Sequence, residues 1–150
     1  RRIGKTKMAI DRIDWHGESA ETAGFPYENG GTHIGIYLAW IINNHLEGEM
    51  HLEESEEELQ QVRDHKITGR DFLSTMCDEK FWEDDLNEEG FAFTQYYYES
   101  NQYFNDYDVT LVHSKGLSDT YAVEDTWGNY DLMAVVIDQK YQQWKKLNSA

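Results

Sequence analysis

Cysteine and proline are almost missing from this chain, and basic residues are scarce. The single cysteine, Cys77, excludes an internal disulfide framework and any Cys-rich zinc site, and it fits a reducing compartment. The single proline, Pro26, leaves the turns mostly to glycine, which favours helices joined by short loops over a many-stranded sandwich. No apolar run approaches the roughly 20 residues that cross a bilayer. The longest runs only from Gly35 to Ile42. Lysine and arginine number 13 among 150 residues against 29 acids, a formal charge of −16, so the cationic footprint of a nucleic-acid binder is missing. The expectation is a cytoplasmic protein that binds neither membrane nor nucleic acid.

What the chain does have is aromatic mass. Five Trp, ten Tyr and six Phe need somewhere to pack, and they turn a composition that charge alone would call disordered into that of a folded globule. Arg1 to Lys7 hold four of the basic side chains and precede Met8, so residues 1–7 read as an upstream extension or expression-vector remnant and 8–150 as one globular domain.

Local signals are mostly helical. Trp15 to Gly31 carries no period and reads as an ordered surface loop. Thr32 caps a helix over about 33–46 that is apolar nearly all round, the mark of a central, buried helix. Ser55 and Glu58 have capping-box spacing ahead of a helix over about 56–64, and Thr68 opens another carrying Phe72, Leu73 and Met76 inward. Carboxylates at Asp84 to Glu89 suit the positive end of a helix running to about Tyr98, and Ser100 to Asp108 adds a further helical turn. The β-prone segments Val109–Val112 and Thr120–Val123 flank Gly116 and suggest a small hairpin. Thr126 or Asn129 caps the last helix, to about Leu147. The fold expected is mainly α, or α+β if that hairpin near 109–123 forms.

Charge is concentrated in the middle. From Glu47 to Gly90 there are 16 acids against Arg63, Lys66, Arg70 and Lys80, a net −12. The plain reading is a set of solvated helix faces and caps; the sharper one is a docking surface for a basic protein, since clustered charge of one sign speeds encounter and rejects wrong partners. Glu53, Glu54, Glu56, Glu57, Asp84, Asp85, Glu88 and Glu89 are the candidates for capture. Eight rings between Phe91 and Tyr107 exceed what one helix face can hide, so Tyr96, Tyr97 and Tyr103, with Trp82, are the candidate packing anchors.

Catalytic and metal signals are weak. The six histidines show no recognised metal spacing, the serines lie in no nucleophile-elbow context, and no cofactor motif occurs. His33, at a predicted helix start after Gly30-Gly31-Thr32, is the most interesting histidine; an enzyme reading pairs it with Asp78, Glu79 or Asp125 as acid and base, for a hydrolase acting on a small ligand. A third reading is a nucleic-acid mimic, with carboxylates imitating phosphates.

Several phrases together carry a resemblance: Trp15; Gly30-Gly31-Thr32-His33-Ile34-Gly35 running into Tyr37-Leu38-Ala39-Trp40; His51-Leu52-Glu53; Cys77-Asp78-Glu79-Lys80-Phe81; Asp85-Leu86-Asn87-Glu88-Glu89-Gly90; and Asp125-Thr126-Trp127-Gly128-Asn129-Tyr130. The chain resembles a family of small bacterial domains without an assigned activity. The resemblance implies a compact, stand-alone bacterial cytosolic protein, and by analogy small acidic proteins of this sort serve as immunity partners of toxins. It carries over no catalytic residues. The leading expectation is therefore a non-enzymatic immunity protein that masks the active site of a basic toxin domain, needing no cofactor or metal.

Overall fold

The computed structural model describes residues 9–149. The assignment of residues 1–7 to an extension lies outside the described residues. The chain opens on a two-residue strand β1 (Asp11–Arg12) and a 3-10 turn, then runs through α1 (Gly17–Thr22), α2 (Thr32–Asn43), α3 (Glu49–Glu54), α4 (Glu56–Arg63) and α5 (Gly69–Met76). Strand β2 (Lys80–Phe81) returns antiparallel to β1, with Asp11 opposite Phe81. Helices α6 (Glu88–Tyr97), α7 (Gln102–Tyr107) and α8 (Trp127–Leu147) complete a mainly helical fold. No described helix is long and apolar enough to cross a membrane.

Helix α2 is the axis. Every residue from Thr32 to Ile42 is buried, as its all-round apolar character requires. Its approach to α5 explains two glycines: a Cβ on Gly35 would stand 2.4 Å from the Arg70 amide nitrogen, and one on Gly69 would stand 1.9 Å from the Gly35 carbonyl oxygen. The two backbones touch there, and any side chain would force the helices apart. On its other faces α2 sends the Tyr37 hydroxyl to Thr94 of α6 and donates the Trp40 indole N–H to Asp138 of α8. Tyr37, Phe81, Tyr97, Tyr98 and Tyr103 gather around it in stacked and edge-on ring contacts within one contiguous core.

Three local expectations change. Residues 15–31 are structured as α1 and a 3-10 turn over Tyr27–Gly31 instead of a plain loop. Ser55 precedes α4 but makes no side-chain cap, because its hydroxyl is turned to His51. The segment Asp108–His113 is a π-helix continuing α7, and Thr120–Ala122 is a 3-10 turn, so the antiparallel pair lies at residues 11–12 and 80–81, not at 109–123. Burying Leu111 and Val112 against the core outweighs the β preference of Val-Thr-Leu-Val.

Candidate functional site

The most elaborate polar arrangement forms where β1 meets the starts of α1 and α2. Pairing with β2 points Asp11 inward, to 3% exposure, while its neighbour Arg12 turns outward to Asp14. His16 stands at the entry to α1, His33 in the first turn of α2 and Tyr98 at the end of α6. All converge on the Asp11 carboxylate. Its Oδ1 accepts from the Arg12 amide at 2.8 Å and faces His16 Nε2 at 2.7 Å; its Oδ2 accepts from the Tyr98 hydroxyl at 2.6 Å and faces His33 Nε2 at 3.1 Å. The pattern assigns the proton of each imidazole to Nε2, so four donors fill the four lone-pair sites of one carboxylate. His16 Nδ1 then accepts from the Tyr121 hydroxyl at 3.1 Å.

The electrostatics follow. Burial alone would raise the Asp11 carboxyl, but the hydrogen bonds of His16 and His33, with the positive charge either imidazole carries when protonated, hold it well below the usual carboxylate range. Burial lowers His33, only partly offset by Asp11, which favours its neutral form. Burial, reinforced by the Asp11 charge, holds Tyr98 far above the ordinary phenol value, so it stays a donor. The site is also reachable. His16 and Phe104 line both a cavity of about 310 Å³ on the Trp15 side and one of about 350 Å³ on the Tyr121 side. The His16 side chain keeps 20% exposure against 5% for His33 and for Asp11.

A second cluster joins α3, the end of α5 and the turn before α6. His51 Nε2 lies 2.8 Å from Asp85 Oδ1 and its Nδ1 3.3 Å from the Ser55 hydroxyl; Cys77 Sγ lies 3.6 Å from the same Asp85 oxygen and 3.8 Å from His51 Nε2. One imidazole nitrogen therefore faces both the thiol and the carboxylate. A nucleophilic triad needs them on opposite nitrogens, so this is not one. His51, Cys77 and Asp85 are all buried, and His51 and Cys77 line a cavity of about 440 Å³ together with Trp82, Met76 and Lys80.

The acidic candidates divide. Glu53, Glu54, Glu56, Glu57, Glu88 and Glu89 are exposed, and Asp84, Trp82 and Tyr96 are half-buried. Asp85, Tyr97 and Tyr103 do not belong to a contact surface: they are buried, with Asp85 bonded to His51, Tyr97 donating to Asp106 and Tyr103 to the His33 carbonyl. A depression of about 560 Å³ gathers Glu49, Glu83, Asp84 and Glu88 around Met50, Leu86 and Phe91, and none of the described residues that line it is basic. Glu89 lies apart from it, accepting from the Tyr141 hydroxyl.

The carboxylates proposed to work with His33 do not meet it. Asp78 pairs with Lys80 on a turn where it and Glu79 adopt left-handed backbone, with φ of 55° and 62°. Asp125 accepts from the Thr68 hydroxyl at 2.7 Å and pairs with Arg70. The carboxylate that does meet His33 is Asp11, which sequence reasoning missed along with His16 and His51. Residues 11, 16, 33 and 98 follow no motif spacing, so no local signal marks them.

A model of a protein family described as "Domain of unknown function (DUF7832)" matches residues 9–123 of the chain. No curated protein and no solved structure matches it.

Proposed function

The chain belongs to this family, and from that premise we propose that it is a non-enzymatic binding protein whose acidic face captures a basic protein, in the manner of a bacterial immunity protein neutralising a toxin domain. The observation that carries the reading is the depression beside Met50. Its rim is Glu49, Glu83, Asp84 and Glu88, and its floor is Met50, Leu86 and Phe91. Acids contributed by α3, the turn over residues 83–85 and the start of α6 thus share one concavity, although they lie up to 39 positions apart in the chain. A lysine- or arginine-bearing segment meets attraction at the rim and apolar contact for its aliphatic stem below. Exposed Glu53, Glu54, Glu56 and Glu57 extend the negative field along α3 and α4 and steer encounter.

The test needs a basic protein as partner, sought first in the product of the neighbouring reading frame. Wild-type association should slow about tenfold or more between low and high salt. A variant carrying Glu49→Gln, Glu83→Gln, Asp84→Asn and Glu88→Gln should associate slowly at both, with little salt dependence. Salt-independent association, or full binding by that variant, refutes capture by this face.

A further inference from the structure

We propose that Asp11, His16 and His33 bind one divalent first-row transition-metal ion of the zinc and iron(II) class, with its remaining coordination positions open toward the cavities that His16 lines. Two imidazole nitrogens and one carboxylate are the donor set such ions take in sites that keep room for a water or substrate.

The geometry is close to what coordination needs. One ligand atom from each residue can be chosen so that all lie within 4.8 Å of one another, and the two His–Asp contacts stand at 2.7 and 3.1 Å. Ligands about 2.0–2.1 Å from a tetrahedral ion lie roughly 3.3 Å apart, so the two His–Asp contacts, made to different oxygens of Asp11, lengthen by about half an ångström or less, and the widest ligand pair closes by at most about 1.5 Å. Proton accounting is equally simple. Each neutral imidazole moves its hydrogen from Nε2 to Nδ1, and the freed Nε2 lone pairs turn to the ion. His16 Nδ1–H then donates to the Tyr121 oxygen, while the Arg12 amide and the Tyr98 hydroxyl keep their bonds to Asp11. Ligands oriented through their far atoms in this way are what metal sites use to fix tautomer and direction.

Charge supplies the reason. Asp11 is buried, and among the described residues no lysine or arginine pairs with it; its ion-pair partners are His16 and His33. A buried carboxylate calls for positive charge beside it, which here is either a proton on an imidazole or a bound cation. One histidine would be enough to hold a proton. Two, brought from different elements onto the same carboxylate beside two solvent cavities, suit a cation.

This inference is independent of the acidic face, which shares none of these residues, and its test needs no partner. The full chain, stripped with a chelator and dialysed, is titrated with Co²⁺ and followed by visible absorption, then challenged with Zn²⁺ and, without oxygen, with Fe²⁺. One ion per chain is expected. His16→Gln, the substitution at the most exposed ligand, should weaken binding at least about a hundredfold, Tyr121→Phe about tenfold, and Cys77→Ala not at all. Circular dichroism of the metal-free variants checks their folding. If His16→Gln does not fold, Tyr121→Phe, which removes only a rim hydroxyl, decides the matter. Absence of Co²⁺ bands at about 100 µM metal overturns the proposal. So does binding that survives His16→Gln and Tyr121→Phe but is lost in Cys77→Ala, which would put the ion at His51, Cys77 and Asp85.

Discussion

Asp11 and Asp125 are both carboxylates drawn largely out of water, with side chains 5% and 12% exposed, and burial pushes both upward. They end on opposite sides of the ordinary value. Asp11, enclosed by four donors of which the two histidines do the lowering, finishes well below it, whereas Asp125 has one hydroxyl, from Thr68, and an Arg70 contact at 3.3 Å, opposed by burial and the Asp71 charge, and stays above it. The number and aim of the donors, more than depth of burial or the presence of an arginine, decide which carboxylate the fold keeps ionised. Asp11 is thus the carboxylate held ready as a ligand, and Asp125 is a strut between α5 and the chain leading into α8.

The contrast is broken most directly by removing the acceptor. Asp11→Ala strands two imidazoles, a buried phenol and an amide, and should cost about 3–5 kcal/mol in urea unfolding of chelator-treated protein. The same truncation at Asp125 should cost only about 1 kcal/mol, because it gives up one hydroxyl bond and a partly solvated ion pair. Equal losses at the two positions would show that donor count does not separate them. A finer cut is Tyr98→Phe, which removes one of the four donors with little change of volume and should cost about 2 kcal/mol, as for a hydrogen bond to a charged acceptor. A loss below about 0.5 kcal/mol would mean the remaining three donors suffice.

How much of this was legible beforehand depends on the range of the signal. The buried helix around Tyr37 and Trp40, the Thr68 start of α5 and the start of α8, narrowed to Thr126 or Asn129, were readable because period and caps are local. Thr68 forms a full box with Asp71, and Thr126 accepts from the Asn129 amide. Ser55 shows the limit. Its spacing to Glu58 is that of a box, but a buried histidine 3.3 Å away is a competing partner that only tertiary structure supplies. Val109 to Val112 fail likewise, since the burial of Leu111 and Val112 is settled by packing. The histidine centre was out of reach, because β1, the corner before α1, the start of α2 and the end of α6 contribute one group each. The acidic depression was half legible: composition marks the charge, but only folding sets Glu49 beside Glu83 and hides Asp85.

The gentlest test of the comparison is a pH series on Asp125→Asn, which keeps the acceptor for Thr68 and deletes only the titration. The folded Asp125 carboxyl lies above its ordinary value of 3.8, so the folded state binds that proton more tightly than the unfolded chain. Its ionised form therefore works against the fold at neutral pH, and wild type recovers stability as pH falls through the folded value toward 3.8. The stability of Asp125→Asn relative to wild type should be most favourable near pH 7 and decline steadily as pH drops toward about 3, below the unfolded value, where the wild-type carboxyl is largely protonated in both states. The drift is read from urea midpoints at constant ionic strength. A difference that grows on acidification would mean that Arg70 outweighs burial at Asp125, and that it is held ionised in the same sense as Asp11.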